Sequence, residues 1–332
     1  MIVSVIVPVR NEARAIERFL NSLAKQDLDD LNWEVIAADG MSEDGTREVL
    51  ANWAQKWPKL TVIDNPQWYV SPALNAAVRA ARGDVIIRMD AHTEYAPDYI
   101  RQCIAVLEET GADNVGGPAL TRATGWMQQA IAAAYHSRFA SGGAKFRGPA
   151  YEGPVDTVPY GCWRRTTLEQ AGPFDESLVR NQDDELNLRI TLNGGRVWQS
   201  PRIRSWYWPR GSLRALFAQY YQYGFWKVAV IRKHRRPASR RHLVPGVCVA
   251  LTVALAAASL LWRWPIAVLA ALVATYFIAA VSASIGAAHR NGWDLLPALP
   301  AVFAVYHVAY GLGFLAGVAA RKRFQHCRPH RG

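Results

Sequence analysis

Four short runs dominated by apolar and β-branched residues, at positions 2–9, 33–38, 60–63 and 85–90, stand out along the first hundred residues. Such unbroken runs, as opposed to alternating ones, predict parallel strands buried on both faces. Between them apolar residues recur at helical spacing: Ile16, Phe19, Leu20 and Leu23, then Val49, Leu50 and Trp53, then Leu74, Ala77 and Val78. A further helix is expected after Pro97, carrying Ile100, Ile104 and Leu107. Strand and helix in alternation predict an α/β chain with a doubly wound, mostly parallel sheet. Asn11 is expected to cap the first helix, Ser71-Pro72 to open the third, and Gly83 to close it. No elements are assigned to the glycine-rich stretch 111–160. Pattern returns at 161–165 and 172–176, and Asp183-Asp184-Glu185 leads a helix through Leu186, Leu188 and Ile190.

Beyond residue 230 the pattern changes. Three nearly uncharged stretches, 243–262, 265–288 and 295–320, follow one another, each close to the ~20 residues that cross a hydrocarbon core. Trp262, Trp264 and Trp293 sit at their ends, where indoles favour the membrane interface. Charge is divided just as sharply. Residues 201–332 hold 18 Lys+Arg and one acid, Asp294, whereas residues 1–200 hold 20 basic and 26 acidic residues. The net charge of +11 therefore resides in the back of the chain. Set beside apolar spans, the basic clusters at 232–236 and 240–241 read as anchors to an anionic leaflet and not as a nucleic-acid surface. The positive-inside bias places 231–242 in the cytoplasm; three crossings would then put the basic residues 321–323 outside, against the same bias. The first apolar run has no basic residues before it and reads as a strand, not a signal peptide, which keeps the front in the cytoplasm. Cys103, Cys162, Cys248 and Cys327 have neither metal nor disulfide spacing and read as reduced thiols.

Candidate chemistry gathers where strands end. Asp39 closes the second strand, and can either cap the next helix or accept a hydrogen bond from a nucleobase or ribose. Asp90 and His92 follow the fourth, two residues apart and so on one side of an extended chain. That pair suits a divalent cation bridging to a diphosphate. The carboxyl edge of such a sheet is where ligands bind. Asp183-Asp184-Glu185 could equally be a solvated helix start, where acids are favourable anyway.

The runs Val3-Ser4-Val5-Ile6-Val7-Pro8-Val9-Arg10-Asn11-Glu12, Asp39-Gly40-Met41-Ser42-Glu43-Asp44-Gly45-Thr46 and Asp90-Ala91-His92 together resemble the opening of the family 2 glycosyltransferases of GT-A fold. Gly172-Pro173-Phe174-Asp175-Glu176, with Gln182-Asp183-Asp184-Glu185-Leu186 and Arg189, is similar to that family's acceptor-side acidic motif. The combination with a C-terminal membrane region most resembles bacterial enzymes of the succinoglycan and exopolysaccharide type. The resemblance covers roughly residues 2–230. It implies a Rossmann-like GT-A domain over 1–230, whose 210–230 would be an interfacial helix, a basic segment at 231–242, a transmembrane region at 243–320 and a basic tail at 321–332. Pro8, Asn11 and Glu12 would border the nucleotide pocket, Asp39 would meet the base, most simply uracil, and Asp90 the ribose and diphosphate. Asp90 and His92 would hold Mn²⁺ or Mg²⁺, with His92 standing where the family usually has a second Asp. Asp183 matches the general base, with Asp184 or Glu185 in support, and Gln182 stands where Glu is more usual.

The implied activity is inverting, metal-dependent transfer from a nucleotide sugar to a lipid-linked saccharide, at a bacterial inner membrane with the catalytic domain facing the cytoplasm. Transfer to polyprenyl phosphate or a glycolipid is the alternative acceptor reading. A non-catalytic, membrane-tethered nucleotide-binding module is the alternative of a different class. Processive members carry Gln-x-x-Arg-Trp where this chain has Gln219-Tyr220-Tyr221-Gln222-Tyr223, which points to one sugar added per acceptor.

Overall fold

A computed structural model describes residues 1–28 and 30–320; the basic tail expected at 321–332 lies outside the described residues. The chain parts into two compact units. Unit 1 comprises residues 1–120 and 148–207, and unit 2 comprises 121–147 and 208 onward.

Unit 1 begins with β1 (Ile2–Val9), α1 (Ile16–Ala24), β2 (Asn32–Asp39), α2 (Thr46–Lys56), β3 (Leu60–Asp64), α3 (Val70–Ala80) and β4 (Val85–Arg88). It continues with β5 (Glu94–Tyr95), α4 (Tyr99–Thr110), β6 (Asn114–Gly116) and β7 (Ala119–Thr121). After α5 (Trp126–Tyr135) and α6 (Arg138–Ser141) of unit 2, it resumes as β8 (Gly153–Pro154), β9 (Cys162–Arg164), α7 (Arg165–Ala171), α8 (Gln182–Leu192), β10 (Val197–Gln199) and β11 (Ser205–Tyr207). The main sheet has the order β3-β2-β1-β4-β9-β6-β10-β8, and β5-β11-β7 form a second, small sheet. β1 lies parallel between β2 and β4, with Val5 opposite both Val35 and Ile87. β9 enters antiparallel between β4 and β6. The mostly parallel α/β expectation holds.

Both faces of β1 are covered, which explains its unbroken apolar run. Val3, Val5 and Val7 pack with Ile16, Leu20 and Leu23 of α1 and Ile100 of α4. Ile6, Ile36 and Ile86 pack on the other face with Leu74 of α3 and Leu186 of α8. Each such side chain contributes ~1.5–3 kcal/mol by leaving water. Ser4 is the polar exception inside this core. Its hydroxyl donates to Glu34 Oε1 (2.7 Å) and accepts from the Gly83 N–H (2.8 Å).

Three local expectations fail. Asn11 does not cap α1: it is left-handed (φ 53°), and α1 starts five residues later at Ile16. α3 begins at Val70, and Ser71 sits inside it, donating to the Leu178 carbonyl instead of capping. Gly83 lies beyond the C-cap, Ala81; what requires a glycine is close approach, since a Cβ there would stand 2.6 Å from Ser4 N.

Unit 2 contains α5, α6, α9 (Leu213–His234), α10 (Val244–Ala258), α11 (Trp264–Asn291) and α12 (Leu299–Ala319). Three helical segments, Arg240–Ala258, Trp264–Asn291 and Leu299–Ala319, are long and apolar enough to cross a membrane. Each opens with proline in its first turn, where the missing N–H costs no helical bond. α11 leaves Ile266, Val273, Phe277 and Ile278 exposed, an apolar face that lipid would cover. α9 is capped by the Ser212 hydroxyl, which accepts from the Ala215 N–H at 3.2 Å. It lies against α12 at backbone contact: a Cβ on Gly224 would run into the Tyr310 carbonyl oxygen, and one on Gly313 into that of Tyr221.

Candidate active site

The carboxyl ends of β1, β2 and β4 and the first turn of α8 supply the acidic groups of the candidate site in unit 1. The loops after β1 and β2 are laced together. Asn11 N–H donates to Ser42 Oγ (2.8 Å), Glu43 N–H to Asn11 Oδ1 (3.0 Å), and Glu12 N–H to Thr46 Oγ1 (2.9 Å). Pro8 lies beside them in β1, opposite Ala38. This lacing accounts for the left-handed Asn11, whose side chain serves the neighbouring loop and not its own helix.

Asp39 is buried and accepts from Ser42 Oγ (2.5 Å), Ser42 N–H (3.1 Å) and Arg47 Nη1 (2.7 Å). Arg47 also donates to Asp64 Oδ1 at 2.8 Å. A carboxylate has about four acceptor sites, so three occupied leave one open. Nearby, the Arg10 guanidinium lies over the Trp68 ring, 5.3 Å from its centre, and Trp68 itself is left-handed (φ 68°).

Arg88 is the centre of the site, and sequence reasoning missed it. Its side chain is 5% exposed and it clasps Asp90 with two bonds, Nε to Oδ1 (2.8 Å) and Nη2 to Oδ2 (2.9 Å). Its Nη1 donates to Asp183 Oδ1. A cation in a strand buried on both faces is rare unless paired, and that was the available signal. Asp90 is held further by its own N–H, which donates to Tyr95 Oη (2.6 Å). Burial pushes Asp183 up to about 6, against the pull of Arg88, while Asp90 and Asp184 add to the upward push.

Asp90 and His92 do not project side by side. β4 ends at Arg88 and the chain turns, with Thr93 N–H bonding back to the Asp90 carbonyl at 3.1 Å. His92, 54% exposed, meets Glu12 Oε1 through Nδ1 at 3.0 Å. That hydrogen bond, with the charges of Asp90 and Glu12, holds its pKa above the usual imidazole value. Glu185 is fully buried in an ion pair with Arg189 (2.8 Å). Asp184 follows in the same helical turn.

How a divalent cation would fit follows from the donor set. With its proton on Nδ1 and given to Glu12, His92 presents Nε2 outward, the carboxylate–histidine arrangement that orients metal ligands. Each Asp90 oxygen keeps a lone pair beyond its bond to Arg88. Among the described residues no group of three or more His, Cys, Asp or Glu converges on a metal position. The residues fit a cation only as a partial shell, to be completed by diphosphate oxygens.

Known proteins resemble this chain in sequence and in fold. The family model described as Glycosyl transferase family 2 matches residues 4–164. Succinoglycan biosynthesis protein ExoA of Rhizobium meliloti is 33% identical over 314 residues, 93% of each chain. A Methanococcus voltae protein, dolichyl N-acetyl-alpha-D-glucosaminyl phosphate 3-beta-D-2,3-diacetamido-2,3-dideoxy-beta-D-glucuronosyltransferase, is 29% identical over 70% of this chain and 74% of its own. Among solved structures, the mannosyltransferase PcManGT from Pyrobaculum calidifontis, in complex with GDP-Man and Mn²⁺, covers 94% of this chain and 86% of that one, with a TM-score of 0.58 and 22% identity. That last likeness is one of fold. The chain is a glycosyltransferase and belongs to family 2.

Proposed function

We propose that the chain transfers a sugar, with inversion at the anomeric carbon, from a uridine-diphosphate-linked donor to a lipid-linked saccharide in exopolysaccharide or cell-envelope glycan synthesis. The observation that carries this reading is the reach of one guanidinium: Arg88 joins Asp90 and Asp183. The carboxylates read as the donor end and the acceptor side are thus held by one side chain. The name of the Rhizobium meliloti relative supports the exopolysaccharide context, and that of the Methanococcus voltae relative a lipid-linked saccharide acceptor.

In this reading Asp39, Pro8, Asn11 and Glu12 hold the nucleotide, and Asp90 lies against the ribose and diphosphate. Asp183 Oδ1 is fixed by Arg88, and Oδ2 receives the acceptor hydroxyl's proton. The hydroxyl oxygen attacks the anomeric carbon as the bond to the diphosphate oxygen breaks. A base so placed contributes roughly 10²–10⁴-fold. A divalent cation, Mn²⁺ or Mg²⁺, would be held by His92 and Asp90 and would supply charge neutralisation for the departing diphosphate. Arg88 keeps both carboxylates at fixed distance, so that the acceptor and donor ends stay in register.

Chemistry is assigned to residues 1–120 and 148–207, and attachment to 121–147 with 208–320, a division that departs from the linear one at residue 230. Attachment is to a bacterial cell membrane by several crossings, with unit 1 on the cytoplasmic side, where nucleotide sugars are made.

Asp183→Asn is the decisive variant. UDP binding should persist while transfer of radiolabelled sugar into lipid extract falls by at least about 10². Full turnover by that variant, or a product that keeps the donor's anomeric configuration, sinks the assignment. Treatment with EDTA should lower turnover and added Mn²⁺ or Mg²⁺ restore it; indifference to EDTA removes the cation from the reading.

A further inference from the structure

Unit 2 holds 20 Lys+Arg and a single acid, Asp294. Most of its cations are exposed, but Arg147 is half-buried. It ends a 3-10 turn, Lys145–Arg147, after α6, and its guanidinium lies over the Tyr135 ring, 4.4 Å from the centre. Nη1 donates to the Tyr135 carbonyl (3.4 Å) and Nη2 to Tyr220 Oη (3.1 Å). Nε is shut off from solvent and has no partner. Around it Tyr220 stands edge-on to Tyr306, with centroids 4.3 Å apart. A second guanidinium, that of Arg241, lies 6.0 Å from the Phe146 ring, and Arg147 lies 5.7 Å from the same ring.

Burying a cation costs several kcal/mol unless an anion accompanies it. Among the described residues no carboxylate pairs with Arg147; only neutral oxygens meet it. For a half-buried guanidinium whose Nε is closed to water, a ligand can bring the compensating negative charge. Two guanidiniums beside aromatic rings suit a phosphoryl group carried on an apolar chain, since arginine's fork matches phosphate oxygens. We infer that Arg147, flanked by Arg241 and walled by Tyr135, Phe146 and Tyr220, is a binding site in unit 2 for the phosphoryl group of a lipid. An isoprenoid diphosphate carrier and a glycerophospholipid headgroup share this chemistry. The inference rests on unit 2 being embedded in lipid and is independent of the role given to Asp183.

The test uses the full chain in dodecyl maltoside, which carries no phosphate, with thermal unfolding followed by tryptophan fluorescence. The probes are farnesyl diphosphate, farnesol, dioleoylphosphatidylglycerol, inorganic phosphate and, separately, UDP. A phosphorylated lipid should raise the unfolding midpoint and farnesol should not; whichever phosphorylated lipid acts at lower concentration identifies the source. Arg147→Gln should weaken that lipid by at least about tenfold, the loss of a charge-assisted contact, and leave the shift caused by UDP intact. Arg241→Gln should weaken it less. Equal shifts with farnesol and farnesyl diphosphate, or with inorganic phosphate alone, overturn the inference without recourse to any variant. So does an Arg147→Gln protein that responds to lipid as the wild type does. A chain that ignores UDP but answers to the phosphorylated lipid would instead count against the nucleotide-sugar reading alone.

Discussion

Arg88 and Arg147 make a natural pair, one in each unit, and their surroundings are opposite. Arg88 is clasped by two carboxylates of its own unit. Arg147 meets a carbonyl, a phenol and aromatic faces, and Nε meets nothing. The first is a closed electrostatic unit whose removal orphans two acids. The second is an open one whose removal orphans none. A buried cation with its counter-ions inside the chain serves the geometry of those counter-ions. Arg147, half-buried and without them, is the receptor we infer for charge that comes from elsewhere.

The largest effect should follow from breaking the closed case. Arg88→Met leaves Asp90 and Asp183 together with no cation, and uncompensated charge of that kind costs about 3–5 kcal/mol. Chemical denaturation should show that loss, and transfer should disappear with it. If stability is unchanged, the clasp is not what organises the site. Acidification is a gentler way to make the Arg88 site resemble that of Arg147. Asp183 lies at about 6 against an ordinary 3.8. Below about 6 the base form dwindles and the rate should fall about tenfold per pH unit. Stability runs the other way. A raised pKa means the folded chain binds the proton more tightly, so this group's contribution is complete below 3.8 and is lost as pH climbs through about 6. A pH–rate profile with no inflection near 6 would remove Asp183 as the base. Next in size, Asp39→Asn should weaken UDP by about tenfold, the value of one charged hydrogen bond, with little change in turnover at saturating donor. The smallest effect belongs to the open case. Arg147→Met should leave stability in detergent unchanged or raise it by about 1 kcal/mol, because an unpaired charge is exchanged for apolar packing. A loss like that of Arg88→Met would erase the contrast between the two arginines.

What could be read from sequence follows the same physical lines. β1, β2 and β4 were legible because burial on both faces leaves an unbroken apolar run. The apolar helices of unit 2 were legible for the same reason at helical length. The stretch 111–160 was not, because its strands are two or three residues long and owe their existence to partners far along the chain, as β6 does to β9 and β10. No local pattern records such pairing. The acids at the strand ends could be named from their positions, but not what they would bond. Asp39 is shared with Ser42 and Arg47, and His92 turns to Glu12, because the loops after β1, β2 and β4 bend in ways set by tertiary contacts. Glu185 carried a legible warning in Arg189 four residues on, the spacing of a helical ion pair.

The glycine contacts between α9 and α12 have a mechanical consequence. Gly224 and Gly313 each receive a carbonyl oxygen of the opposite helix where any side chain would collide, and a Cβ on Gly317 would stand 2.7 Å from that of Phe225. Contacts this close cannot slide past one another by a fraction of a turn, since the next residue along would bring a Cβ into the gap. The two helices therefore travel as a single spar. α10 is tied to the same spar, since a Cβ on Gly311 would stand 2.6 Å from the Pro245 carbonyl oxygen, and a single alanine at Gly313 would act as a wedge driven along the whole seam.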